Sequence, residues 1–266
     1  MRTLGKESEI LDRYRSIPIK SIRYIGNIFS CLRIMMLTHS HLFKRSWIDS
    51  SSKDAPPPDY YNDKYHIMME MMRVDDCVGN LNGKRVSNAF EKENVFLKKH
   101  LGNNYKLVRD DISVFFIPNT DDPTKYTYKG YLDSFRSVVM KHSNKTDNYK
   151  KNHPNCKATI FLISDESNEF CEVLNPADKK KVEDGYSGVN AKWHIPYRDN
   201  KFIDIIKKTK CDYIVWVYNY KTERRGNQLL VPQAVIIDVK RLKRNGIDYN
   251  ELLMAKVKEV HHYDTV

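Results

Sequence analysis

CDYIVWVYNYKTERRGNQLLVPQAVIIDVKRL, residues 211–242, is the stretch whose reading decides the fold. Two runs of β-branched and aromatic residues flank a glycine-containing loop, KTERRGNQ. That pattern predicts two strands joined as a hairpin. Upstream, KATIFLISDES (157–167) is a third apolar run of strand length. NKFIDIIKKTK (200–210) has the spacing of a short amphipathic helix. DYNELLMAKVKEV (248–260) predicts a closing helix capped by Asp248. The order strand, helix, strand, strand, helix predicts an α/β fold, a mixed β-sheet flanked by helices.

Towards the N-terminus, DYYNDKYHIMMEMMRVDD (59–76) carries Tyr61, Lys64, Tyr65, Met68, Met69 and Met72 at spacings of three and four. This predicts a helix with Asp59 as its N-cap and Glu70 at the margin of its buried face. A turn, a helix over 87–102 and a strand over 111–119 follow. KGYLDSFRSVVMKHSNKTDNYKKNHP (129–154) then predicts a helix, with Leu132, Phe135, Val138, Val139 and His142 on its apolar side. The triple proline in SWIDSSSKDAPPPD (46–59) cannot continue a helix and reads as a linker. The chain thus divides into a basic N-terminal extension with its linker, 1–58, and a single α/β domain, 59–266.

The formal charge is +11, from 45 Lys and Arg against 34 Asp and Glu. Residues 13–48 hold seven of those bases and no acid, which leaves 38 bases against 34 acids elsewhere. Residues 13–48 therefore carry most of the excess, as a partly ordered extension, a helix packed on the body or docked on a protein partner, a surface-binding helix or an organellar presequence would. The uncharged run Tyr24 to Leu32 is about half the length of a membrane span. No transmembrane span is expected. Five scattered cysteines without a CxxC pair predict reduced thiols and a cytoplasmic location. Neither GxxxxGK[ST] nor GxGxxG occurs, so no nucleotide-phosphate cradle is expected.

The chemistry concentrates where the apolar run VPQAVIIDVK ends. Side chains alternate along a strand, so Ile236, Asp238 and Lys240 share one face. Asp238 and Lys240 are expected to project together, a carboxylate to hold Mg²⁺ and an ammonium to stabilise charge or orient a water. Asp212 or Asp165, each at a strand end, supplies the second metal carboxylate.

This arrangement resembles the PD-(D/E)XK nuclease superfamily, in which a helix glutamate, a strand aspartate and a strand (D/E)-x-K converge on metal. The resemblance rests on Glu70, on Asp212 or Asp165, and on Asp238 with Lys240. Cys211 stands where the motif has proline. The resemblance implies a Mg²⁺-dependent phosphodiesterase acting on DNA or RNA. Two other readings stand beside it. One is a noncatalytic nucleic-acid-binding domain using Lys141, Lys145 and Lys150 with Arg241, Lys243 and Arg244. The other is a protein-interaction domain docked through its arm.

Overall fold

Burial of the strand runs on both faces dictates a layered architecture. A computed structural model describes residues 5–50, 58–76, 80–81, 84–85, 127–185, 189–219, 223–225 and 228–257. The centre of its seven-stranded sheet is formed by β4 (Ile67–Val74), β7 (Ala158–Asp165) and β10 (Tyr213–Tyr218), all parallel. β13 (Ala234–Asp238) lies antiparallel beside β10, and β1 (Ile22–Ile25) runs parallel to β13 at the edge. β3 (Tyr60–Asn62) and β2 (Ile48–Asp49) complete the other side in antiparallel pairing. The order is β1-β13-β10-β7-β4-β3-β2. Two short hairpins, β5–β6 (Asn80–Leu81, Lys84–Arg85) and β11–β12 (Glu223–Arg225, Gln228–Val231), lie outside it. So does a three-stranded sheet of β8 (Phe170–Val173), β9 (Ala191–Trp193) and β14 (Met254–Lys256).

Strand alternation sorts the core into two layers. Phe161, Ile163, Trp216, Val235 and Ile237 face α3 (Tyr128–Asn152) and α5 (Asn200–Lys207). Phe135 of α3 stacks on Trp216 with ring centroids 4.6 Å apart. Ile160, Leu162, Val215, Ala234 and Ile236 face the other way, onto α1 (Gly5–Ser16) and α2 (Ile28–His39). Each buried Val, Leu, Ile or Phe side chain among these contributes about 1.5–3 kcal/mol by leaving water. A shorter helix, α4 (Pro176–Glu183), packs against β14.

The mixed sheet, the hairpin of β10 with β13, the long helix after Thr127 and the short helix over 200–207 agree with the sequence reading. Three elements differ from it. Residues 59–76 form β3 and β4 instead of a helix. A strand buried on both faces shows a continuous apolar run, and Ile67–Met72 is such a run, without a period to distinguish it from a helix. Asp59 caps nothing helical; its carboxylate accepts a hydrogen bond from the Met71 amide at 2.7 Å.

At the other end of the chain, Glu251–Leu253 is a single 3₁₀ turn capped by Asn250, and Met254–Lys256 is the strand β14. Pairing with β8 outweighs the helical spacing there. Asp248 does not cap it; its carboxylate accepts from the Asn200 side chain at 2.8 Å. Finally, the described part of the basic extension belongs to the sheet. β1 pairs with β13, β2 pairs with β3, and Tyr14, Cys31, Ile34 and Met35 fill the second core layer. A domain beginning at residue 59 would lose both outer strands. The expected helix over 87–102 and strand over 111–119 lie outside the described residues.

Candidate functional site

The strand carrying the Asp-x-Lys pair ends one residue too early to align it. β13 stops at Asp238, and Val239–Arg241 turns into a 3₁₀ helix that Asp238 caps by accepting from the Arg241 amide at 3.2 Å. Asp238 is buried and faces the α2 side, where its charge adds to burial in pushing the Cys31 thiol up to about 11. Lys240 leaves that face. Its ammonium reaches Asp212 at 2.9 Å while the side chain stays 77% exposed. The hydrogen bond to Asp212 raises the Lys240 pKa above its ordinary value. The second Asp212 oxygen accepts from the Thr159 amide at 2.9 Å, which ties the starts of β7 and β10 together.

The remaining carboxylates lie elsewhere. Asp165 ends β7, which runs opposite to β13, so it sits at the far end of the sheet from Asp238. It is wholly buried and saturated: it accepts from the Tyr131 hydroxyl, from Trp216 Nε1 at 3.0 Å, and from the Ser167 amide and hydroxyl. Burial, then the Asp165 charge, pushes the Tyr131 phenol well up, which keeps it a donor. Glu70 lies in mid-β4 under α3. It accepts from His142 Nδ1 at 2.6 Å, the Tyr149 hydroxyl at 2.9 Å and the Asp59 amide at 3.3 Å.

The four carboxylates expected around Mg²⁺ therefore occupy three separate places. Among the described residues no group of three or more His, Cys, Asp and Glu side chains is placed to hold a metal ion. This donor set does not fit the cation. A buried cluster that the sequence did not announce, His194 and Tyr128 on Asp199 at 2.8 and 2.5 Å, also serves structure. The His194 side chain is 1% exposed, and Asp199 caps α5 through the Lys201 amide.

Cations, by contrast, gather on an open surface. A cleft of about 810 Å³ runs along the edge strand β1 to the turn after β13. Arg23, Arg198, Arg241 and Lys243 line it, with Tyr24, Tyr197 and Asn27 between them and no carboxylate. All four cations are exposed. Arg23 is held by donating to the Tyr197 hydroxyl at 2.8 Å. Gly26 lets the chain turn from β1 into α2 at φ +96°, and a Cβ there would lie 2.9 Å from Asp238 Cβ. Asn27 then caps α2 by accepting from the amides of Phe29 and Ser30.

Nearby acids are already paired. Asp204 holds Arg244 at 3.4 Å, Asp212 holds Lys240, and Asp147 of α3 holds Lys210. Arg198, Arg241, Lys243 and the exposed Lys141 and Lys150 have no ion pair among the described residues, and neither does the half-buried Lys145. Of the six basic residues expected to meet nucleic acid, Arg241 and Lys243 line the cleft, Arg244 is spent on Asp204, and the three α3 lysines lie over the β4 side. Arg23 and Arg198 complete the cleft from segments 175 residues apart in sequence, so no local pattern marks them together. No protein-family model, curated protein or solved structure matches the chain.

Proposed function

We propose that this domain is a noncatalytic module that binds the phosphate backbone of a nucleic acid along the β1 edge. One observation carries the reading: a cleft lined by four exposed cations and no carboxylate. Lys and Arg neutralise backbone phosphates and release their condensed counterions, which favours binding at low salt, and guanidinium groups hold phosphate oxygens through two parallel hydrogen bonds. Three of the four cleft cations are arginines, the residue suited to that contact. Arg23 is pre-oriented by Tyr197, which lowers the ordering cost of one contact. The nuclease reading has less behind it, because Asp238 and Lys240 point apart and each is engaged in fixing a turn or an ion pair.

The test is a fluorescence-anisotropy titration of labelled RNA and DNA oligonucleotides with the wild type and with Arg198→Gln/Arg241→Gln/Lys243→Gln. Removal of three phosphate contacts is expected to weaken binding on the order of a hundredfold at low salt. Equal affinity of the two proteins would rule the cleft out. Metal-dependent cleavage that Asp238→Ala abolishes would restore the enzyme.

A further inference from the structure

The described residues leave eight large hydrophobic side chains exposed, and six of them come from one stretch: Ile19, Ile28, Phe29, Met36, Leu42 and Ile48. Ile19 beside β1 and Ile48 in β2 sit at opposite edges of the sheet, but Phe29 and Met36 share one face of α2, and exposed apolar side chains grouped on one face mark an interaction surface. α2 organises the patch. Cys31, Ile34, Met35 and Leu37 turn inward onto the sheet. Phe29, Arg33 and Met36, at spacings of four and three, form the outward stripe, with Leu32 half-buried beside it. Phe29 is 80% exposed and Leu42, just past the helix, 88%. Side chains that keep so much surface in water protrude; they do not line a groove.

The charge around the stripe selects its occupant. No Asp or Glu occurs from residue 13 to 48, and Lys20, Arg33 and Arg45 are exposed there without an ion pair among the described residues. A second copy of the chain would bring these cations against each other, so self-association on this face is disfavoured. Protruding apolar side chains set among cations match the requirements of an interface that is anionic on the outside and hydrocarbon beneath. No helix among the described residues is long and apolar enough to cross a membrane.

We propose that the exposed face of α2 docks the protein onto an anionic lipid bilayer, with Phe29 and Met36 entering the interface and Arg33 and Arg45 meeting lipid phosphates and carboxylates. The stripe starts two residues beyond Asn27, which lines the cleft, but the cations of the cleft lie on the opposite layer of the sheet edge.

Sedimentation of the full-length protein with large vesicles tests this, using phosphatidylserine–phosphatidylcholine mixtures against phosphatidylcholine alone. The wild type is expected to pellet with the anionic vesicles only. Phe29→Gln/Met36→Gln, which keeps good helix formers on the stripe, is expected to lower partitioning on the order of tenfold. A thermal melt equal to the wild type's separates that loss from misfolding. Arg198→Gln/Arg241→Gln/Lys243→Gln should still pellet. A wild type that stays in the supernatant with both vesicles overturns the proposal and leaves the stripe to a protein partner. Pelleting lost in the cleft variant but kept in the stripe variant overturns it too.

Discussion

Two charged regions of this molecule behave in opposite ways. At the C-terminal ends of β4, β7 and β10, the place where α/β sheets commonly hold ligands, acidic residues cluster. Each is engaged from within. Asp165 takes hydrogen bonds from Tyr131, Trp216 and Ser167, Asp75 one from Ser134, and Asp76 accepts from both the amide and side chain of Asn168. Glu166 meets Arg73 at 3.5 Å. Along the β1 edge the cations face solvent, and among the described residues only Arg23 has a side-chain partner that orients it. Burial and saturation turn the first group into scaffold, whereas exposure without acids leaves the second group free to meet an external anion. Capacity to bind follows what a charge has left over, not where a fold usually puts its ligands.

The comparison breaks most readily at Asp165. As scaffold, Asp165→Ala leaves two hydroxyls, an indole N–H and the Ser167 amide without their acceptor, and about 3–5 kcal/mol of stability should be lost in urea unfolding. A stable Asp165→Ala protein would return the acidic end to the list of ligand sites. Next in size is Gly26→Ala, which combines a positive φ with a 2.9 Å approach to Asp238. A cost of about 1–3 kcal/mol is expected, together with weaker oligonucleotide binding, since the cleft wall moves.

A smaller effect sharpens the acidic side. Burial, the first cause, holds the Glu166 pKa above its ordinary 4.5 despite Arg73. A carboxyl raised in the folded state adds stability below pH 4.5 that is lost as pH climbs through the raised value. Glu166→Gln should therefore flatten that decline in the urea midpoint between pH 4 and 7; identical pH profiles would contradict the burial argument. The smallest signal is chemical. Burial pushes Cys31 and Cys171 up to about 11 and Cys211 up to about 12. At pH 8 none of these should alkylate in the native protein, by peptide mapping after iodoacetamide. Labelling of Cys31 in particular would mean that α2 lifts off the sheet beside the cleft.

The sequence made the sheet centre legible because its strands are bounded by loops and rich in β-branched residues, as in KATIFLISD and CDYIVWVYNY. It misled at β4, where methionine, unbranched and compatible with either element, fills a doubly buried strand. It misled again in the N-terminal segment. Charge made that segment look like an arm, yet Ile22, Cys31, Ile34 and Met35 pack in the core. At the site, Asp238 and Asp212 were located at the correct strand ends. Their roles were not legible, because the 3₁₀ turn that rotates Lys240 off the Asp238 face is a tertiary outcome of joining β13 to the α5 region. Arg241 and Lys243 were visible as part of a basic burst. Arg198 was not, because only the fold brings its turn to the β1 edge, where Tyr197 meets Arg23.

The most direct test of the central claim is the salt dependence of oligonucleotide affinity in three proteins: the wild type, Arg198→Gln/Arg241→Gln/Lys243→Gln, and Asp75→Asn/Asp76→Asn at the opposite end. For a single-stranded ligand, the slope of log K against log salt should shrink by about 2 units in the cleft variant. It should stay at the wild-type value in the Asp75/Asp76 variant. Equal slopes in the wild type and cleft variant, or a change confined to the acidic end, would contradict the account.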